Sequence, residues 1–229
     1  MPFILNIDTS SPICSVCISD RGRVVAEKND FSGNKHASVL NTFIEQLLNE
    51  TGIKAPDLIA VAVSAGPGSY TGLRIGVSVA KGLCYGLGIP LIAIPTLKGI
   101  AWKMSAISAD NKGVFVPMID ARRDDAYMAV YDNELKIVEK DSFVTIDGKL
   151  FDGFLRLYDS NIYFGGSGAD KITKILSNNK FGTIIENVQC VSSNLSHLSY
   201  EYFEREAFEN LTYYEPFYLK EFEGRMKIK

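Results

Sequence analysis

The chain has 229 residues, 46% of them hydrophobic and 22% charged, so it can bury a large core without disulfide or metal staples. Its net charge of −3 argues against a protein that wraps nucleic acid alone, because such proteins usually carry a basic excess. The four cysteines are too scattered for a disulfide framework, and the sequence shows neither a signal peptide nor an apolar run that could span a membrane. We therefore expect a reduced, cytoplasmic protein.

The first hundred residues predict three strands, then a helix, a strand, a helix and a strand. The predicted strands cover residues 3–8, 13–19, 24–26, 58–63 and 91–94. Apolar residues recur at helical spacing over 35–51, and a second helix is predicted from about residue 71 to 87. A strand meander that feeds alternating helices and strands predicts a mixed sheet covered by helices.

The second half of the chain begins again with a hairpin. Its two strands are predicted over 114–119 and 126–131, on either side of a charged turn. A strand over 161–164 and helices over 169–177 and 195–210 are predicted to follow. Because each half opens with a strand, an acidic turn and a returning strand, the pattern hints at internal duplication.

Cys14 and Cys17 form a single C-x-x-C pair. A zinc ribbon needs two such pairs, and a redox motif needs its first thiol at a helix N-terminus. This pair lies inside a predicted strand, so we interpret both residues as ordinary buried cysteines.

The densest motif is the glycine-rich segment 66–72 (GPGSYTG), which joins a predicted strand to a predicted helix. It lacks the spacing of a dinucleotide-binding loop, a P-loop or a nucleophile elbow. Either its N–H groups face an anion, or it is only a tight turn with a helix cap. The following helix carries Gly72, Gly76 and Ala80 at a spacing of four. Each interior glycine costs about 1 kcal/mol relative to alanine, which favours close approach by another backbone, either of this chain or of a partner's helix.

Two acidic turns stand at equivalent places in the two halves, Asp8-Thr9-Ser10 and Asp120-Ala121-Arg122. Hairpins with acidic and hydroxyl groups can hold Mg²⁺ and phosphates, but the same residues are common in ordinary turns. The loop Gly165-Gly166-Ser167-Gly168 either passes close to a nucleoside or is only a loop.

The chain contains only two histidines. His36 begins the first predicted helix, but Leu40 stands four residues later, so the pair of histidines that could grip a metal from one helical face is missing. We expect His36 to be a surface residue. His197 has no acidic or cysteine partner at a recognisable metal spacing, so neither a metal site nor a catalytic set is predicted.

Four segments together resemble the TsaB (YeaZ) family, bacterial accessory proteins of tRNA threonylcarbamoyladenosine biosynthesis. They are residues 4–10 (ILNIDTS), 65–76 (AGPGSYTGLRIG), 119–123 (IDARR) and 215–219 (EPFYL). The resemblance implies an α/β fold of the actin/Hsp70/sugar-kinase-like (ASKHA) type, with two related subdomains that each contain a mixed sheet flanked by helices. We place them at residues 1–103, completed by about 205–229, and at 104–204.

The resemblance also implies a non-catalytic role. The family's catalytic paralogue TsaD binds a metal through an H-x-x-x-H helix motif, which this sequence lacks at Leu40. This chain would dimerise with TsaD through its first two helices, recruit the ATPase TsaE, and contact tRNA only through that complex. Alone, it would form a homodimer. No cofactor is expected in the isolated chain, and ATP or ADP only at the level of the complex.

The candidate site residues fall into two sets. A degenerate nucleotide or phosphate cleft is expected at Asp8, Thr9, Ser10, Asp120, Arg122, Gly165 and Gly166. A partner-helix interface is expected at Gly72, Ile75, Gly76, Val79 and Leu83. The alternative function is a small ATP-dependent phosphotransferase or ATPase of the same fold, which the two intact hairpins favour and the lack of a recognisable general base disfavours. A glycoprotease-like metallohydrolase is disfavoured by Leu40.

Overall fold

The computed structural model describes residues 2–33, 36–108, 113–149, 152–153, 158, 161–173 and 182–220. They contain two five-stranded sheets with matching strand orders. Within these residues, no helix has both the length and the apolar composition that a bilayer crossing requires.

The first sheet follows the predicted meander. Its strands are β1 (Phe3–Asp8), β2 (Cys14–Asp20), β3 (Arg23–Asp30), β4 (Leu58–Ser64) and β5 (Leu91–Ile94). They lie in the order β3-β2-β1-β4-β5, with β1 antiparallel to β2 and parallel to β4. The sheet is therefore mixed, as predicted.

Helices cover both faces of the first sheet. The four helices are α1 (His36–Thr51), α2 (Tyr70–Leu87), α3 (Thr96–Ile107) and α4 (Ser196–Glu204). Of these, α1 and α2 cover one face of the first sheet and α4 covers the other, while α3 packs mainly on the second sheet. Alternate residues of a strand point to opposite faces, so Leu5 packs with α1 and α2 while Ile4 packs with α4. This double cover explains why β1 and β4 consist almost wholly of buried residues.

The second sheet repeats the topology of the first. Its strands are β6 (Gly113–Asp120), β7 (Asp125–Tyr131), β8 (Ile137–Thr145), β9 (Asn161–Gly165) and β10 (Gly182–Ile185). Read from β8, the order is β8-β7-β6-β9-β10, which matches β3-β2-β1-β4-β5 strand for strand. The duplication indicated by the two acidic hairpins is confirmed.

Some elements differ from the sequence predictions. The helix expected over 195–210 is a 3-10 turn at Ser192–Leu195 followed by α4, after which the chain continues without regular structure. Only Ala169–Ile172, a 3-10 turn, represents the helix expected over 169–177, because residues 174–177 lie outside the described residues. Three further elements, α3, β8 and β10, were not predicted from the sequence.

The segment after α4 returns to the first sheet. The Glu209 N–H donates to the Leu91 carbonyl at 2.9 Å, and the Phe217 N–H donates to the Ala65 carbonyl at 2.8 Å. The subdomain limits at 1–103 with about 205–229, and at 104–204, stay a prediction.

Candidate functional site

A cleft of about 1200 Å³ opens beside the hairpin turns of the two sheets. Its walls come from six parts of the chain: the turn at 10–12, the beginning of α1, the beginning of α2, the hairpin at 119–127, Ser167, and the segment 218–220. Of the predicted cleft residues, Ser10, Asp120 and Arg122 line it directly. The sequence therefore identified both hairpins that border the cleft.

The first hairpin turns its carboxylate inward. Asp8 is only 1% exposed, and its Oδ1 accepts hydrogen bonds from the Ser10 N–H at 2.9 Å and from Ser10 Oγ at 2.6 Å. Burial raises the pKa of Asp8 above its ordinary value, although the hydrogen bonds from Ser10 oppose that shift. Asp8 and the likewise buried Thr9 thus lie behind the cleft surface and stabilise the turn.

The glycine-rich segment fastens α2 to this turn. A Cβ atom at Gly68 would overlap the Ser10 carbonyl oxygen, and one at Gly72 would overlap the Thr9 carbonyl oxygen. The Ser69 N–H donates to the Ser10 carbonyl at 2.6 Å, and Thr9 Oγ1 donates to the Gly72 carbonyl at 2.8 Å. The close backbone approach that the glycines indicated is therefore made by this chain's own hairpin.

Two residues of the predicted partner interface are consequently misplaced. Gly72 and Gly76 are buried, and a Cβ atom at Gly76 would overlap Thr9 Oγ1, so neither can receive a partner's helix. Ile75, Val79 and Leu83 are half-buried at the edge of the core, and their role in an interface stays a prediction.

The outer face of α2 carries a second set of small residues, which lies outside the predicted interface. Ser78, Gly82 and Gly86 are exposed at a spacing of four, and no atom of the described residues lies within 4 Å of a Cβ atom at either glycine. Tyr85 beside them is 84% exposed. A shallow groove, lined by Ala37 of α1 and by residues of α2 from Tyr70 to Val79, runs along this face. The glycines of this set are visible in the sequence beside Gly72 and Gly76, but the burial that separates the two sets depends on tertiary packing.

The expectation of a surface His36 is wrong. His36 is 8% exposed, and its Nε2 lies 2.8 Å from the Ser11 carbonyl oxygen, so the ring joins the start of α1 to the first hairpin. Leu40, one turn later, is 1% exposed and belongs to the core. Across the described parts of the chain, no three histidine, cysteine or acidic side chains come together as metal ligands.

The interpretation of the cysteines is confirmed. All four are free and buried. Burial raises the pKa of the Cys14 and Cys17 thiols to about 12, which keeps them in the unreactive thiol form.

The second hairpin holds its carboxylate near the surface. The Asp120 side chain is 49% exposed and forms an ion pair with Lys171, whose Nζ also donates to the Asp125 carbonyl at 2.6 Å. The Arg122 N–H donates to Asp120 Oδ1 at 2.8 Å. Partial burial would raise the pKa of Asp120, but the hydrogen bonds and positive charges of Lys171 and Arg122 outweigh it and lower the pKa. No local motif identified Lys171, because it lies 51 residues from its partner.

The tip of this hairpin is conformationally unusual. Arg122 has a φ of 73° and Arg123 a φ of 45°, which is the left-handed region that glycine and asparagine adopt most readily. Both side chains are exposed and line the cleft. Such strain tends to persist where a residue serves a function.

The glycine loop at 165–168 packs on β6. Gly166 has a φ of 100°, and a Cβ atom there would overlap the Met118 carbonyl oxygen. A Cβ atom at Gly165 would crowd the side chain of Met104. Ser167 is the member of this loop that lines the cleft. Nucleotide binding by Gly165 and Gly166 stays a prediction.

The C-terminal segment completes the cleft wall. The ring of Tyr218 lies 4.7 Å from that of Tyr70, and Arg74 places its guanidinium carbon 4.2 Å from the centre of the Tyr70 ring. Arg74 Nε also donates to the Tyr218 hydroxyl at 3.2 Å. Two residues later, Lys220 Nζ lies 5.1 Å from the ring centre of Phe143 in β8. The segment therefore passes from α2 to the second sheet.

The sequence of this chain is similar to those of known proteins. A family model described as "TsaD: tRNA N6-adenosine threonylcarbamoyltransferase" matches residues 29–226. The tRNA threonylcarbamoyladenosine biosynthesis protein TsaB of Bacillus subtilis (strain 168) is 34% identical over 137 residues, covering 60% of this chain and 58% of that protein. TsaB of Escherichia coli (strain K12) is 32% identical over 134 residues, covering 57% and 55% respectively. The chain thus spans little more than half the length of these curated relatives.

A solved structure extends the similarity to nearly the whole chain. YeaZ from Pseudomonas aeruginosa has a TM-score of 0.80 and 22% sequence identity, covering 96% of this chain and 100% of that one. Together with the two topologically matching sheets, these similarities confirm the predicted ASKHA fold and the resemblance to the TsaB (YeaZ) family.

Proposed function

The chain belongs to the TsaD family of tRNA N6-adenosine threonylcarbamoyltransferases, and we propose that it is a non-catalytic accessory subunit of that transfer reaction. In this proposal it dimerises with a TsaD-type catalytic subunit and recruits the ATPase TsaE. The complex then forms threonylcarbamoyladenosine in tRNA, while this chain contacts tRNA only through its partners. The names of its TsaB relatives support a role in the same biosynthesis.

The observation that carries the proposal is the start of α1. The resemblance implies that catalytic TsaD proteins bind their metal through two histidines four residues apart. Here Leu40 occupies the second position and is buried in the core, while the Nε2 of His36 is already engaged by the Ser11 carbonyl. Reaching a metal would therefore cost His36 its bond to the first hairpin. This arrangement favours a role as an accessory subunit over a role as a metal-dependent enzyme.

The outer face of α2 supports the proposed interface. Ser78 and Gly82 leave room for a partner's backbone, and Tyr85 offers a large exposed aromatic side chain. Buried aromatic anchors surrounded by small contacts are typical of protein interfaces. The half-buried Ile75 and Val79 add apolar area along the same groove. In the absence of the partner, the same face would pair two copies of this chain.

The test is the stoichiometry of complexes with TsaD, measured by size-exclusion chromatography and native mass spectrometry. We expect a one-to-one complex that Gly82→Trp abolishes, since the indole would fill the space for the partner's helix. Gly148→Trp is the matched control, because a Cβ atom at Gly148 also meets no described atom within 4 Å, and the residue belongs to the second half of the chain. Absence of a complex, or equal loss in both variants, would contradict the proposal. So would threonylcarbamoyl transfer by this chain alone, with stoichiometric metal.

The phosphotransferase or ATPase alternative is favoured by the volume of the cleft and by its two acidic hairpins. It is weakened because the Asp8 carboxylate is bonded to Ser10 and that of Asp120 is paired with Lys171. Calorimetry with Mg-ATP separates the two functions. Tight binding accompanied by turnover would favour the enzyme.

A further inference from the structure

The two hairpins do not fit the divalent cation that acidic hairpins of this kind can hold. Mg²⁺ requires nearly octahedral coordination by oxygen atoms and is usually bound through one or two carboxylates. Asp8 is 1% exposed and accepts two hydrogen bonds from Ser10. Asp120 is more accessible, but Lys171 occupies its Oδ1. A metal at either position would first have to break these internal contacts.

Lys171 already supplies a positive charge at the second hairpin. Its Nζ donates hydrogen bonds to Asp120 Oδ1 and to the Asp125 carbonyl oxygen. Both are oxygen atoms of the kind that can also coordinate a metal ion. The Lys171 side chain is only 20% exposed, so the ammonium is enclosed at this position. The contact ties the 3-10 turn at Ala169–Ile172 to the hairpin.

Basic side chains outnumber acidic ones in the lining of the cleft beside this pair. Arg122 and Arg123 are exposed, and neither forms an ion pair with a carboxylate within the described residues. Lys220 adds a third basic side chain to the lining. The lining contains two acidic residues, Asp120 and Asp125, and Asp120 is paired with Lys171, so the three basic side chains exceed the acidic charge. The lining therefore favours an anion.

We propose that Lys171 takes the place of a divalent metal at the second hairpin, and that the cleft binds a small oligophosphate group without metal. Arg122 and Arg123 would hold the phosphate oxygens, since guanidinium groups match phosphate geometry with paired hydrogen bonds. Lys171 would keep the Asp120 carboxylate from repelling the ligand. The volume of about 1200 Å³ accommodates several linked phosphates. This site does not depend on the proposed partner, because all of its residues belong to this chain.

The first test is calorimetric titration of the whole chain with sodium tripolyphosphate, once in EDTA and once in excess Mg²⁺. We expect binding in EDTA that Mg²⁺ leaves unchanged or weakens, because Mg²⁺ reduces the negative charge of the ligand. Binding that requires Mg²⁺, or no binding in either buffer, would overturn the proposal.

The arginines are tested by the double variant Arg122→Gln/Arg123→Gln in the same EDTA titration. Losing two charge-assisted contacts should weaken binding by about tenfold or more. The matched control is Arg23→Gln/Lys54→Gln, which removes the same charge from exposed positions outside the cleft lining. Equal losses in the two double variants would mean non-specific attraction and overturn the site.

The metal-replacing role is tested by Lys171→Met. The variant should bind tripolyphosphate about tenfold more weakly in EDTA, and Mg²⁺ should restore part of the affinity by occupying the freed Asp120 carboxylate. Lys171→Arg keeps the positive charge and should bind like the wild type, while thermal unfolding checks that both variants fold. If Lys171→Met binds like the wild type, or if Mg²⁺ restores nothing, Lys171 does not replace a metal.

Discussion

The two hairpins occupy equivalent places in two sheets of the same topology, yet their acidic residues have opposite environments. Asp8 is buried and bonded to Ser10 within its own turn. Asp120 is half-exposed and paired with Lys171 from another part of its subdomain. The first turn contacts the backbone of α2, whereas the second presents Arg122 and Arg123 to the cleft.

This difference indicates a division of labour between the duplicated halves. The first hairpin has become a joint between β1 and α2, in which the glycines serve packing. The second hairpin retains strained and charged residues at the surface, as expected where a site binds a ligand. A duplicated fold can thus keep its topology while only one of its two hairpins keeps exposed charged side chains.

The largest expected effect concerns the joint. Gly72→Ala would place a Cβ atom against the Thr9 carbonyl, and because backbone must move to relieve the overlap, we expect unfolding free energy to fall by about 3 kcal/mol. In the same helix, Gly82→Ala meets open space and should raise it by about 0.5–1 kcal/mol. Urea denaturation measures both variants.

Opposite signs for these two alanines would support the assignment of Gly72 to internal packing and Gly82 to the outer face of α2. If Gly72→Ala were as well tolerated as Gly82→Ala, the first hairpin would not be a tight joint.

A smaller effect is expected at the second hairpin. Arg122→Asn/Arg123→Gly places residues that tolerate a positive φ where the chain requires one, so unfolding free energy should rise by about 1 kcal/mol. The same variant should lose tripolyphosphate binding. Together, the two results would show that the native arginines lower the unfolding free energy but are needed to bind the ligand. Ser11→Gly in the first hairpin is the contrast, since no residue of that turn has a positive φ, and it should destabilise the chain. A destabilised Arg122→Asn/Arg123→Gly variant would contradict this account.

The smallest effect is a difference in pH dependence. Burial raises the pKa of Asp8 above its ordinary value of 3.8, so the folded chain holds the carboxyl proton more tightly than the unfolded chain does. The unfolding free energy therefore falls as the pH rises from 3.8 through the pKa of the folded state. The pKa of Asp120 is lowered, so its contribution is present above 3.8 and disappears as the pH falls through the folded pKa. Because Asp120 is exposed, that contribution is about 0.5 kcal/mol or less.

Denaturation between acidic and neutral pH tests these signs. Asp8→Asn should remove a contribution to the unfolding free energy that decreases as the pH rises. Asp120→Asn should remove a contribution that increases as the pH rises. Parallel changes in the two variants would show that the hairpins do not differ in this way.

Local patterns in the sequence predicted the hairpins, α1 and α2, because turn residues and apolar periodicity act over short distances. They did not predict that the glycine stripe meets Thr9, that His36 contacts Ser11, or that Lys171 reaches Asp120. Each of these contacts joins separate elements and depends on how the sheets and helices pack. The edge strand β8 was missed because its exposed and charged residues obscure the alternation of a half-buried strand.

The central claim is that this chain supports threonylcarbamoyl transfer to tRNA without catalysing it. The direct measurement is the amount of threonylcarbamoyladenosine in cellular tRNA, determined by mass spectrometry after depletion of the chain and re-expression of variants. We predict that depletion lowers the modification, that wild type and Asp8→Asn/Asp120→Asn restore it, and that Gly82→Trp does not. Unchanged modification after depletion, or failure of the double asparagine variant when it is folded and bound to TsaD, would contradict the claim.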